Sequence, residues 1–115
     1  MLENYQAYIL PTLVFVFIIW KIINAVIIRK KISEFKSKNA IIIDVRTKEE
    51  FQTAGNPNSQ NIPLDQIQVG VKNFELSQPI IVCCASGYRS GVAAKIIQRQ
   101  GFQNVLNGGS WRNVR

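Results

Sequence analysis

Between Ala7 and Ile28 the chain carries 18 apolar residues out of 22, interrupted only by Pro11, Thr12, Lys21 and Asn24. A helix of about 20 apolar residues is long enough to cross the hydrocarbon core of a bilayer. A small core cannot bury such a rod. Residues 39–115 number 77, near the lower limit for a domain with neither disulfides nor metal. The run therefore predicts a membrane anchor over residues 1–28, spanning about 7–28. Tyr5 and Tyr8 suit an interfacial belt at its start. Arg29-Lys30-Lys31 at its end predict a single pass through the inner (cytoplasmic) membrane, with the following domain in the cytoplasm. A cleaved signal peptide does not fit, because no Lys or Arg precedes the run and no small-residue cleavage site follows it. Pro11 is tolerable in a first helical turn. Lys21 must snorkel towards the cytoplasmic interface; otherwise the span ends near Trp20 and Lys21–Lys31 lies on the membrane surface.

The charge distribution follows the same division. The net charge of +7 splits into zero for residues 1–28, +4 for residues 29–38 and +3 for residues 39–115. Most of the excess thus sits directly after the apolar run, in a basic juxtamembrane linker. It reads as a topology signal rather than a nucleic-acid surface. The chain contains no histidine, which excludes Ser-His and Cys-His pairs, histidine metal ligands and histidine pH switching. Cys83 and Cys84 are adjacent, so one chain offers neither a disulfide framework nor a zinc site. No metal or other cofactor is expected.

Residues 39–115 alternate strand and helix signals. Ala40–Val45 is an apolar, β-branched run without alternation, as in a parallel strand covered on both faces. Thr47-Lys48-Glu49-Glu50 is a capping box that starts a short helix, closed by Gly55. Asn61-Ile62-Pro63 allows only a very short edge strand, and Leu64–Phe74 one or two weak helical turns. Ile80–Cys83 is a second buried strand. Ser90–Gln100 places Val92, Ala93, Ile96 and Ile97 on one helical face, with Gly101 at its end. Asn104-Val105-Leu106 makes a last strand. The order predicts an α/β fold, a parallel sheet of four to five strands flanked by helices and preceded by the transmembrane helix.

In such sheets chemistry lies beyond the carboxyl ends of the strands. Here a strand ends in Cys-Cys, and the loop Cys84-Ala85-Ser86-Gly87-Tyr88-Arg89 leads into a helix. A small, polar loop of this kind can turn several N–H groups inward beneath a sulfur, lowering a thiol pKa and binding an anion. The expected nucleophile is Cys84, with Cys83 as strand interior. Activation without histidine must come from the N–H groups of Ala85–Arg89, the helix N-terminus and Arg89, with Arg89 expected to outweigh the helix. Counted from Cys83, the motif instead reads Cys-x5-Arg-Ser, the loop length of cysteine phosphatases. Asp44 and Arg46 end the neighbouring strand: either Arg46 collects an anion while Asp44 orients Arg89, or both cap local backbone and pair with Glu49 or Glu50. Tyr88 shapes the entrance or lies on the surface, and Trp111 reads as a lid on the core. On oxidation the two sulfurs could close a strained vicinal disulfide.

From Asn39 to Trp111 the sequence resembles the single-domain members of the rhodanese (sulfurtransferase) family. Ile42–Thr47 followed by Glu50-Phe51 is similar to the family's "IDVRxxxEF", Asn61–Leu64 to "NIPL", and Cys84–Gly91 to the active-site "CxxGxRSG". Gly101-Phe102 through Gly108-Gly109 to Trp111 is similar to its ending. Gly55–Asn61 departs from the family's "GHIxGAxN", being one residue shorter and lacking the His. The resemblance implies that Cys84 takes sulfane sulfur from a small anionic donor, thiosulfate or a persulfide. It would then pass the sulfur from its own persulfide to a thiol acceptor or acceptor protein. It implies a substrate site at Ala85, Ser86, Gly87, Tyr88, Arg89 and Arg46, supported by Asp44. The alternatives are a non-catalytic binding or scaffold module at the membrane, and a cysteine phosphatase using Cys83.

Overall fold

The computed structural model describes residues 2–115, with side chains from Asn4 onward; Met1, at the head of the expected anchor, lies outside the described residues. The chain separates into two compact units, divided between Lys30 and Lys31.

Helix α1 (Leu2–Ser37) carries the apolar run. It is long and apolar enough to cross a membrane, and every described side chain from Asn4 to Ile27 is exposed. The helix starts so early that Pro11 falls in its interior rather than its first turn, leaving the Ala7 carbonyl without its helical donor. Lys21 does not reach towards the basic cluster. Its Nζ lies 5.4 Å from the centre of the Phe17 ring, one turn towards the N-terminus, the direction in which helical side chains lean. The expected linker at 29–38 is helical as far as Ser37, because nothing in its Lys, Glu and Ser composition breaks a helix. The stop comes at Asn39, which adopts φ 60° while the Ala40 amide donates to the Phe35 carbonyl at 3.1 Å. Within the second unit Ile32 is buried.

The second unit is an α/β domain. Strand β1 (Ile41–Asp44) is followed by α2 (Lys48–Thr53), β2 (Gln60–Asn61), a 3-10 turn (Leu64–Gln66) and α3 (Ile67–Gly70). Then come β3 (Ile80–Cys84), α4 (Tyr88–Arg99), β4 (Val105–Ser110) and a closing 3-10 turn (Trp111–Val114). The four strands form one parallel sheet in the order β2-β1-β3-β4. Successive strand residues face opposite sides. Ile43, Ile80, Val82 and Cys84 pack with Ile67, Val71, Ala93, Ile97 and Phe102. Ile81 and Cys83 are fully buried on the other side. Each fully buried Ile or Val contributes about 1.5–3 kcal/mol, so the adjacent central strands β1 and β3 are the mechanical base of the loop that follows.

Two details position that loop. The inward face of α4 is Ser90, Ala93, Ala94 and Ile97, with Ile96 packed beside it; of the expected set Val92 alone points outward, 37 % exposed. The apolar pattern misassigned the face because a serine, Ser90, occupies a fully buried position on it. In β4, Val82 pairs with Asn107 and Cys83 with Gly109, so Gly108 is an extra residue, a bulge. A Cβ at Gly108 would lie 2.9 Å from Ile81 Cγ2, so only glycine fits this close approach.

Candidate active site

Strand β3 ends at Cys84 and α4 begins at Tyr88, so three residues turn the chain. The turn depends on Gly87, which takes φ 103°, a left-handed conformation that side chains resist. A Cβ there would also press to 3.3 Å on the Gly109 backbone. The turn carries the Gly87 amide to 2.9 Å from Cys84 Sγ. One turn of helix later, Ser90 Oγ stands 3.3 Å from the same sulfur. Burial pushes the Cys84 thiol up, yet the Ser90 hydroxyl and the amides of Ser90, Gly87 and Ser86 outweigh it, so the thiol lies below its ordinary value.

The Arg89 guanidinium interacts favourably with the Cys84 thiolate, but it is not among the largest influences on that thiol. It makes a two-pronged pair with Glu50, Nη1 to Oε1 at 2.7 Å and Nη2 to Oε2 at 3.0 Å. Activation therefore comes chiefly from the hydroxyl and the backbone, and Arg89 carries less of it than expected. Asp44 does not orient Arg89 either. It binds Arg46, whose Nε donates to both its oxygens at 3.0 Å and whose Nη2 donates at 2.9 Å. Arg46 Nη2 also donates to the Ala54 carbonyl at 2.6 Å, and the guanidinium stacks 4.7 Å from the Trp111 ring. Arg46 is buried with these partners, so the structure does not offer it to an incoming anion. Neither Asp44 nor Arg46 pairs with Glu49 or Glu50. The strand places each where it does, since Asp44 lies on the face opposite Ile43.

Of the remaining loop residues, Ala85 and Ser86 are exposed and Gly87 is half-buried. Tyr88 projects into solvent, 79 % exposed, and Trp111 is buried as a lid. Cys83 is sealed in the strand. Burial pushes its thiol up to about 12, which leaves essentially no thiolate at neutral pH. Because Cys83 and Cys84 point to opposite faces of one strand, the vicinal disulfide does not fit this backbone. The shortened loop after Gly55 is held from inside by Asn56, whose Nδ2 donates to the Val114 carbonyl at 3.1 Å and whose Oδ1 accepts from the Asn58 amide at 3.1 Å.

Three functional positions escaped the sequence reading. Ser90 was visible in the motif, but nothing local showed that its hydroxyl meets the sulfur. Glu50 is present as the expected capping residue, accepting from the Thr47 amide at 3.2 Å, but its pairing with Arg89 spans 39 positions. Asn107 gives no local signal at all. Its Oδ1 accepts from Ser90 Oγ at 2.7 Å, and its Nδ2 donates to the Gly87 carbonyl at 3.0 Å.

The Arg89 pair has a consequence for acid stability. The Arg89 guanidinium and the Thr47 amide hold Glu50 down from 4.5 to about 2. A depressed carboxylate stabilises the fold above its unfolded pKa, and that contribution disappears as pH falls through the folded value. Wild type and Glu50→Gln should therefore differ in thermal stability above pH 4.5 and converge near pH 2. A difference that stayed constant across this window would show that Glu50 acts by shape alone.

The chain is similar in sequence and fold to known proteins. The protein is 34 % identical over 79 residues to "Putative sulfur carrier protein YrkF" of Bacillus subtilis, a match over 69 % of this chain and 42 % of that one. It is 41 % identical over 85 residues to "Rhodanese domain-containing protein CG4456" of Drosophila melanogaster, covering 61 % and 77 % of the two chains. The chain thus spans less than half of the Bacillus relative. Among solved structures, a rhodanese with anions from E. coli superposes with a TM-score of 0.59 at 28 % identity, over 64 % of this chain and 89 % of that one. The family model of the rhodanese-like domain matches residues 24–112, most of the chain, and the protein belongs to that family.

Proposed function

We propose that the protein is a membrane-anchored sulfurtransferase that carries sulfane sulfur on Cys84. The observation that carries this reading is the environment of Cys84 Sγ, with the Gly87 amide at 2.9 Å and the Ser90 hydroxyl at 3.3 Å. A thiol held below its ordinary value by neighbouring hydrogen-bond donors is a nucleophile that needs no histidine base. The Cys84 thiolate attacks the outer sulfur of thiosulfate; the sulfur–sulfur bond of the donor breaks and sulfite leaves with its electron pair. The resulting persulfide then meets an acceptor thiolate, which takes the terminal sulfur and releases the Cys84 thiolate. A small persulfide serves as donor in the same way, its thiolate leaving in place of sulfite. Ala85, Ser86 and Gly87 line the approach, and the loop's amides stabilise the negative sulfur. Family membership and the name of the Bacillus relative support sulfur transfer. The Cys83 reading is unsupported, because that thiol is buried and faces away from the loop. Incubating the protein with thiosulfate and weighing it intact tests the proposal: a gain of one sulfur atom, lost again on adding a thiol, is expected. No gain would leave a binding or scaffold module.

We also propose that α1 spans the inner membrane with the domain in the cytoplasm. The asymmetry of five basic residues in 29–38 against none before Ala7 supports this orientation. A reporter fused after Arg115 should be active only in its cytoplasmic form, and periplasmic activity would reverse the topology.

A further inference from the structure

Ser90 has one hydroxyl proton and two neighbours that can take it, Cys84 Sγ at 3.3 Å and Asn107 Oδ1 at 2.7 Å. The surroundings of Asn107 decide between them. Its amide orientation is fixed from both ends: the Gly109 N–H donates to Oδ1 at 3.0 Å, and the Gly87 carbonyl accepts from Nδ2 at 3.0 Å. The absence of a side chain at Gly91 leaves room for this amide, since a Cβ there would lie 3.2 Å from Nδ2. Oδ1 can only accept, so Ser90 donates to it. With its proton committed, Ser90 can only accept from Cys84. The arrangement drawn by these contacts is therefore the protonated thiol, S–H to Oγ and O–H to Oδ1.

We propose that Asn107 is a positioning residue that holds the Ser90 proton away from Cys84 and thereby governs when the sulfur gives up its own. When the Cys84 proton leaves to a solvent base, the Ser90 hydroxyl turns from Oδ1 to the thiolate. Asn107 Oδ1 then keeps the Gly109 N–H and loses only the hydroxyl. Asn107 thus stabilises the thiol, while Ser90 stabilises the thiolate. This rests on the reading that Cys84 is the working thiol. The titratable groups near that thiol are Cys83 on its own strand and Arg89 from α4 with its partner Glu50 from α2, while Asp44 at the end of β1 and Arg46 just beyond it stand against Cys83. Residues Val105–Ser110 of β4 contribute no titratable group, so substitution at Asn107 leaves every charge in place.

The test is the pH dependence of iodoacetamide alkylation at Cys84 in the detergent-solubilised full chain, read by mass spectrometry. Removing the two neighbours should shift the titration in opposite directions. Ser90→Ala should raise the Cys84 pKa by about one unit, and Asn107→Leu should lower it by about half a unit to one unit, the scale of one hydrogen bond. In a Ser90→Ala background Asn107→Leu should cause no shift, since its action passes through the hydroxyl. If Asn107 merely kept the loop in shape, its loss would raise the pKa, or shift it equally with and without Ser90. Either result overturns the proposal. Asn107→Ala, which removes the same acceptor with a smaller side chain, repeats the test should the leucine not fold, and melting curves establish that each variant is folded. Wild type that alkylates normally but never gains sulfur would overturn the sulfurtransferase reading alone. A shift of the wrong sign with sulfur loading intact would overturn the role of Asn107 alone.

Discussion

Cys84→Ser should reduce sulfur loading from thiosulfate to background, while Cys83→Ser should leave most of it. The two residues are neighbours in sequence, but the strand sends them to opposite faces, and only Cys84 meets the Gly87 amide. A serine at 84 keeps the hydrogen bonds and loses the nucleophile, because an alkoxide is far less accessible than a thiolate at neutral pH. A serine at 83 places a hydroxyl where the thiol has no exposure at all. An unpaired buried hydroxyl costs about 1–3 kcal/mol, so this variant should melt lower and still load sulfur. Intact mass after thiosulfate treatment reads the first effect, and denaturant titration the second. Loading that survives at Cys84→Ser and vanishes at Cys83→Ser would restore the competing register.

The largest loss of stability is expected at Asp44. Its carboxylate has no exposure and accepts from the Arg46 amide as well as from the Arg46 side chain. Asp44→Ala strands a guanidinium that is 5 % exposed. Breaking a buried pair by removing one partner costs about 3–5 kcal/mol, a large share of the 5–15 kcal/mol that typically holds a domain. The Arg89–Glu50 pair provides the contrast. Both its side chains are about one-third exposed, where such pairs are worth about 1 kcal/mol or less. Denaturant titration of Asp44→Ala and Glu50→Gln should rank them clearly. A loss below about 1 kcal/mol at Asp44→Ala would mean that Arg46 finds replacement acceptors.

How far the site could be read from sequence depends on how far apart its partners lie along the chain. The nucleophile, the turn glycine and the following helix fall within seven positions, and local spacing was enough to place them. The capping box at Thr47 and Glu50 was legible for the same reason. The pairing of charges was not. Asp44, Arg46, Glu50 and Arg89 offer several plausible matches on paper, and the choice among them is made by the fold, which closes Arg46 onto Asp44 at the end of β1 and brings α4 with Arg89 to Glu50 on α2. Asn107 lies 17 positions from Ser90 and reaches it only because β4 pairs beside β3. The end of α1 is hard to place for a different reason: a polar stretch without Gly or Pro gives a helix no cause to stop, and α1 runs through it to Ser37.

The extra residue at Gly108 acts on β4 as a change of parity. Asn107 and Trp111 are four positions apart, an even separation that a regular strand would put on one side of the sheet. Instead Asn107 serves the sulfur side, bonded to Ser90 and Gly87, and Trp111 lies on the far side against Arg46. One residue of chain length thus divides the labour of the last strand, giving its first half to the chemistry and its end to the buried ion pair. The pairing of Asn107 with Val82 and of Gly109 with Cys83 depends on an extra residue that brings no side chain with it. A side chain at Gly108 would therefore press on β3 at Ile81 and disturb both duties at once.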